Sequence, residues 1–327
     1  MSYPVVILVV FGLSIGAYGL KADISSEPDI WTDTRSTLLH QGRPRAFWTY
    51  SGKEKPSAII FTLVDWDPAQ DKCDEWQKEN MVLYGIKERA RKFNATLVTP
   101  CPLQSPDFGN GSIWGWGYNA GTCCQSNKSV DDIDFVKQLI PEVERRINVT
   151  NMPVYALGVS NGGMLAEALL CYNIVSQAAS VAGILTLEPG LKRGYKVCDD
   201  AFKPTPSEVQ RIIKINGKDD KLVPYNGRRD DRDHPFLTFP SVESDFSRWA
   251  KRMNCDRKSR RRVGQRGGAV LEAYTTCPVG KEVYLASMEG VGHAWPMRGG
   301  TGNLSTARTI FKFFYGTLVD KEANSQE

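Results

Sequence analysis

From Val154 to Leu157 the chain reads VYAL, then turns through Gly158-Val159-Ser160-Asn161-Gly162-Gly163 into an Ala-, Leu- and Met-rich stretch ending near Tyr172. A short apolar run, a serine flanked by glycines and an immediate helical pattern restrict this segment to a strand, a sharp turn and a helix. A G-x-S-x-G in that setting holds the serine hydroxyl above the carboxyl end of its strand, because the glycines keep side chains out of the turn. The hydroxyl then sits at a helix N-terminus, where free amides and the dipole favour developing negative charge. The pattern alone is weak evidence. Gly12-Leu13-Ser14-Ile15-Gly16 matches it as well, inside an apolar N-terminal stretch. Context separates the two matches.

Elsewhere, short apolar runs alternate with longer helical patterns. Strands are predicted over residues 57–63, 95–99, 178–182, 211–215 and 282–287, and helices over 74–93, 131–147, 240–253 and 306–315. Continuous apolar strands alternating with helices predict a mostly parallel sheet covered on both faces, an α/β fold. Chemistry in such sheets gathers at the carboxyl ends of the strands.

A serine hydroxyl needs a base, and the chain has 3 histidines. His40 precedes the first predicted core strand, and His234 lies in the charged segment RRDDRDHP, where solvation is the simpler reading. His293 follows the strand EVYLAS, downstream of every other candidate, which is the order Ser, acid, His expected after an elbow of this kind. The acid should lie between them. Asp219 and Asp220 follow the predicted strand RIIKI, and spacing leaves both open.

These residues carry a family resemblance. GVSNGGM at 158–164, D-x-x-V-P-Y at 220–225 and G-x-G-H-A-W-P at 290–296 resemble the polyhydroxybutyrate depolymerase and feruloyl esterase family of secreted α/β-hydrolases. So do YNAGTCC at 118–124 with DDIDF at 131–135, and Trp249, Cys255, Tyr274 and Cys277. The resemblance runs from about Pro44 to Tyr315 and implies an α/β-hydrolase fold and a serine ester hydrolase working through an acyl-enzyme, without metal or cofactor. It implies Ser160, Asp220 and His293 as the catalytic set, the Asn161 amide in the oxyanion hole, and a Cys255–Cys277 bridge. One departure stands out. The family ends its first core strand in His-Gly, whereas here IIFTL runs into Val64-Asp65-Trp66-Asp67. A backbone amide from Asp65 or Trp66 can still serve, since the chemistry needs an N–H and no particular side chain. Weakened turnover, or a binding protein on the same scaffold, is the alternative this departure raises, and a serine peptidase would use the same triad. Trp295 and Tyr118 are expected to line the substrate pocket.

The N-terminus is read as a secretory signal peptide. VVILVVFGL at residues 5–13 is followed by small residues, with cleavage expected between Ala17 and Ala22. An uncleaved anchor over Tyr3–Leu20 is disfavoured by the interrupting Gly and Ser residues. The expected layout is thus a signal peptide at 1–22 and one catalytic domain at 23–327, the last eight or so residues forming a tail. All 8 cysteines fall in the mature chain without zinc-site or CxxC spacing, which reads as disulfides in a secreted protein. Sequons at Asn94, Asn110, Asn127, Asn148 and Asn303 agree with that route. A net charge of +4 over 327 residues gives no reason to expect nucleic acid. The basic run Arg257–Arg262 is read as a solvated loop between bridged cysteines.

Overall fold

The computed structural model describes residues 30–67, 72–106, 114–120, 127, 129–186, 191–205, 208–228 and 238–318. Its centre is a run of strands apolar on both faces. β3 (Ala58–Leu63), β4 (Ala95–Pro100), β7 (Val154–Val159), β8 (Gln177–Val181) and β9 (Gln210–Gly217) are almost wholly buried, as strands sandwiched between helix layers must be. β1 (Thr32–His40) and β2 (Arg43–Ser51) precede them. β5 (Leu103–Pro106) and β6 (Trp114–Gly117) pair separately, and β10 (Arg260–Arg266), β11 (Ala269–Tyr274) and β12 (Lys281–Met288) follow. Among the described residues the main sheet has ten strands in the order β1-β2-β4-β3-β7-β8-β9-β12-β11-β10. Strands from β4 to β12 in that order are parallel, and antiparallel pairs close both edges.

The helices are α1 (Lys72–Glu75), α2 (Met81–Leu83), α3 (Ile86–Phe93), α4 (Asp132–Arg146), α5 (Asn161–Cys171), α6 (Leu191–Ala201), α7 (Val242–Arg252) and α8 (Thr306–Phe314). α4 begins where its sequence says it should: Asp131 accepts the Asp134 N–H at 2.8 Å as an N-cap. Ser241 caps α7 in the same way. α5 is buried along its whole length because it packs on β7 and β8 beneath the rest of the molecule. The segment read as one helix over 74–93 is broken. A π-helical turn at Trp76–Asn80 separates α1 from α2, and Gly85 at φ 71° interrupts the chain before α3.

One further reading is corrected here. The basic run Arg257–Arg262 is no loop: it forms a short 3-10 turn and then enters β10, the edge strand. Arg260 is held by Glu243 (2.6 Å) and Glu272 (2.8 Å), while Arg261 and Arg262 are exposed. Charged side chains along an unpaired edge deter pairing with a second molecule, which explains arginines in a strand. β1, β2, β5, β6, β11 and α6 have short or mixed patterns with little apolar periodicity to mark them in the sequence.

Cys73–Cys101, Cys171–Cys198 and Cys255–Cys277 are bridged, whereas Cys123 and Cys124 lie outside the described residues. The residues expected to form a signal peptide (1–22) and a tail, and His234, also lie outside them. Among the described residues no helix is long and apolar enough to cross a membrane.

One buried ionic group links the sheet to α5. Lys214 of β9, Glu167 of α5 and Asp245 of α7 are all without solvent exposure. The Lys214 Nζ pairs with Glu167 and lies 2.7 Å from Asp245 Oδ2. The Trp249 indole N–H donates to the other Glu167 oxygen at 2.8 Å.

Candidate active site

Ser160 stands between the end of β7 and the first residue of α5 at φ 53°, ψ −118°. Side chains seldom occupy that region, and holding one there costs on the order of 1–3 kcal/mol. The neighbouring glycines explain how the turn is tolerated. A Cβ on Gly162 would lie 2.2 Å from the Leu63 carbonyl oxygen, and one on Gly158 would lie 2.3 Å from the Gly162 backbone. The elbow is locked to the sheet as well, since the Ser160 N–H donates to the Val181 carbonyl at 2.8 Å.

Two other strand ends bring partners to it. β9 and β12 are adjacent and parallel, with Gly217 opposite Met288 at their carboxyl ends. The loops that follow are pressed together: a Cβ at Gly217 would meet the Val291 carbonyl oxygen at 2.1 Å. The Lys218 N–H donates to the Met288 carbonyl and the Asp219 N–H to that of Val291. His293 then reaches back across the site. Its Nε2 lies 2.8 Å from Ser160 Oγ and its Nδ1 2.8 Å from Asp220 Oδ2. The other Asp220 oxygen accepts the Leu222 and Val223 N–H groups at 2.9 and 2.8 Å, which fixes the carboxylate plane. Asp220 is 4% exposed, whereas Asp219 points outward. Residue spacing left two carboxylates open; the folded loop brings one of them to His293.

Asn161 follows the serine. Its N–H is the first of α5 and has no acceptor four residues back within the helix. Its side chain is fully buried and clamps one peptide group of the neighbouring loop, accepting the Tyr118 N–H at 2.7 Å and donating to the Tyr118 carbonyl at 3.1 Å. Asp132, at the start of α4, holds the next residue by accepting the Asn119 N–H at 2.6 Å, and its other oxygen accepts from Arg45 at 2.5 Å. Arg45 is itself buried and lies 4.0 Å from the centre of the Phe135 ring. The two acidic residues at 131–132 therefore have separate tasks, one capping α4 and one tying β2 to the loop that carries Tyr118. Asn161, Asp132 and Arg45 come from three distant segments, so no local pattern links them into a chain.

Tyr118 itself is a correction. Its ring has no exposure and its hydroxyl donates to the Pro100 carbonyl at 2.6 Å, so it packs in the core instead of lining a pocket. Burial pushes its phenol well above the ordinary tyrosine value. Trp295 is 5% exposed and stacks on Tyr84, with ring centres 5.0 Å apart and planes 13° from parallel. Together with Leu83, Arg89 and Met297 these rings line a cavity of about 210 Å³. Trp66 sits in the segment after β3. Asp67 pairs with Trp116 through two backbone hydrogen bonds of 3.1 and 2.8 Å, which close this segment in place of a His-Gly turn. The Trp66 indole packs face to backbone on Gly115, where a Cβ would come within 2.6 Å of it. Of the sequon asparagines, Asn127, Asn148 and Asn303 are exposed, and Asn94 is half-buried with its amide donating to the Lys55 carbonyl. Asn110 lies outside the described residues.

The chain is 29% identical over 236 residues to feruloyl esterase B of Piromyces equi, a match covering 71% of this chain and 39% of that protein. It therefore spans about two fifths of that relative's length. No family model matches. Among solved structures, an acetyl xylan esterase from Aspergillus awamori superposes with a TM-score of 0.53 at 9% identity, covering 82% of this chain and 96% of that one. An S-formylglutathione hydrolase from Agrobacterium tumefaciens gives 0.52 at 10% identity, covering 90% and 96%. At such identities these two speak for the fold alone. The fold is that of the α/β-hydrolases, and in sequence the chain is similar to a feruloyl esterase.

Proposed function

We propose that the protein is a secreted serine carboxylic-ester hydrolase in which Ser160 is the nucleophile, His293 the base and Asp220 the group that orients it. The observation that supports this best is the continuous hydrogen-bonded path Ser160–His293–Asp220, with both contacts at 2.8 Å. Ser160 Oγ attacks the ester carbonyl as His293 Nε2 takes its proton. His293 then returns that proton to the departing alcohol, leaving an acyl-serine. Water enters, loses a proton to His293 and releases the acid. Asp220 favours the tautomer with the proton on Nδ1 and stabilises the charged imidazole. The Asn161 N–H and an amide from the segment holding Trp66 receive the oxyanion. Feruloyl-type esters come first among substrates, on the strength of the named relative, followed by acetylated polysaccharide and hydroxyalkanoate esters. The three disulfides among the described residues and the apolar N-terminus support a secretory route, with glycosylation at the exposed sequons.

A fluorophosphonate probe tests the assignment without knowledge of the substrate. Peptide mapping should find the label on Ser160. The labelling rate should fall by about 10³-fold or more in Asp220→Asn, which favours the wrong histidine tautomer, and by less than threefold in Asp219→Asn. Failure of the native protein to label would sink the enzyme reading, and equal losses in the two variants would sink the role of Asp220.

The clamp from Asn161 to Tyr118 gives a second expectation. Asn161→Ala keeps the backbone amide but frees the 118–120 loop and leaves a buried peptide group unpaired, which costs about 1–3 kcal/mol. Asp132→Asn weakens the same loop at its Arg45 and Asn119 contacts. Both variants should lose kcat more than KM in hydrolysis of short nitrophenyl esters. A change confined to melting temperature would make the clamp purely structural.

A further inference from the structure

The segment Asp256–Arg262 reads DRKSRRR, five basic residues against one acidic, so it alone carries a formal +4, as much as the whole chain. The fold sets that charge along one line. Arg257 and Lys258 stand on the 3-10 turn and Arg261 and Arg262 on β10, all four exposed. β10 is the last strand of the sheet among the described residues. Successive side chains of a strand point to opposite faces, so Arg261 and Arg262 flank the open edge on both sides. The acids beside them have other partners. Glu272, opposite Arg262 across the strand pair, gives both oxygens to Arg260, and Asp256 accepts the Lys258 N–H at 2.9 Å. Among the described residues no carboxylate forms an ion pair with Arg257, Lys258, Arg261 or Arg262.

The same edge is poor in acceptors. Arg261 Nη1 donates to the Lys258 and Arg260 carbonyls, both at 2.7 Å, and the Ser259 carbonyl accepts from the Thr275 hydroxyl at 2.9 Å. Each guanidinium carries five N–H donors, so these bonds leave part of every fork turned outward. What the edge offers a partner is therefore N–H donors and positive charge. Protection against strand pairing does not account for this composition. Charge of either sign or a bulge blunts an edge, and β10 already shifts register between Arg262 and Gly264.

A partner that follows a strand edge must be linear, anionic and rich in oxygen acceptors. Nucleic acid would call for aromatic rings on which bases stack, and residues 256–266 contain none. A membrane surface would call for apolar side chains among the cations, and Val263, the one such residue in that stretch, is half-buried. Guanidinium forks match paired anionic oxygens. The run also lies away from the catalytic end of the sheet. Arg260 pairs with Tyr274 at one end of β11, whereas Ala269 at the other end pairs with Met288, close to the loops of Asp220 and His293.

We propose that Arg257, Lys258, Arg261 and Arg262 form a docking edge for an acidic polysaccharide, one with sulfate or carboxylate groups repeated along its chain.

Calorimetric titration of the intact protein at low ionic strength tests this with three probes: heparin, polygalacturonate and an oligothymidylate. Saturable binding of a polysaccharide is expected, weakened at least tenfold in Arg257→Gln/Lys258→Gln/Arg262→Gln and at least threefold in Arg262→Gln alone. All three side chains are exposed, so these variants leave the core untouched. Lys78→Gln/Lys92→Gln/Lys137→Gln removes the same charge from other exposed positions and should change affinity less than threefold. Heparin binding the tighter supports the edge with sulfate as its ligand group, and polygalacturonate binding as tightly or more so supports it with carboxylate. Absence of saturable binding of both polysaccharides, equal losses in the two triple variants, or oligothymidylate binding as tightly as either polysaccharide overturns the proposal. The readout needs no turnover, so it stands apart from the assignment of Ser160.

Discussion

Ser160→Ala is expected to lower ester hydrolysis by about 10⁴-fold or more while leaving the fold intact, as measured by nitrophenyl ester turnover beside thermal melting. In the proposed mechanism the acyl bond forms on Ser160 Oγ, and His293 and Asp220 act through that oxygen, so the loss should be large. What survives should reflect oxyanion and binding contributions alone. Stability should move by less than about 0.5 kcal/mol, since Ser160 Oγ makes one hydrogen bond, to His293, at a partly exposed site. Ser160→Gly sharpens the test. A glycine accepts φ 53° without penalty, so this variant should be equally inactive but melt higher than the native protein, by about 1 kcal/mol of stability. Retained activity in Ser160→Ala would refute the mechanism. A Ser160→Gly protein no more stable than Ser160→Ala would remove the argument that the elbow stores strain.

Lys214→Met should destabilise the protein by about 3–5 kcal/mol, because it leaves Glu167 and Asp245 buried without their cation. The cost should depend on pH. Burial first, and then the neighbouring Asp245, push Glu167 up to about 7 from an ordinary 4.5. Burial pulls Lys214 down, but Asp245 and Glu167 outweigh it and hold its ammonium above the usual lysine value. In the native protein, Glu167 therefore keeps its proton through a range where the unfolded chain has released it. The native state binds more protons over that range, so stability falls as pH rises from about 4.5 through about 7 and is flat beyond. Denaturant titrations at pH 5 and pH 8 should show this decline in the native protein and a smaller one in Glu167→Gln. With Lys214 gone, Glu167 loses the charge that opposes its protonation, and the Lys214→Met deficit should be greater at pH 8 than at pH 5. An equal deficit at both values would mean that Glu167 does not titrate in this window.

The buried cluster illustrates what a linear reading misses. Lys214 lies in the apolar strand RIIKI, Glu167 in an Ala/Leu-rich helix and Asp245 in a helix of mixed charge, and each alone reads as an exception to its pattern. Only the packing of α5 and α7 on β9 makes them one group. Tyr118 departs from its expected place for a related reason. An aromatic residue in a loop near the site looks like a pocket wall until its hydroxyl is found on Pro100.

Ser160 and the strand and helix around it were determined by local sequence, since a sharp turn with no room for Cβ atoms at 158 and 162 is a short-range steric demand. The alternation of apolar runs likewise set the layered α/β architecture, because each strand must bury both faces whatever its neighbours are. The choice of Asp220 over Asp219 belongs to the tertiary structure. So does the anchoring of Asn161 through Tyr118. Each depends on where one strand end lies relative to another, and a distance between chain segments dozens of residues apart is set by register and packing, which no local pattern encodes.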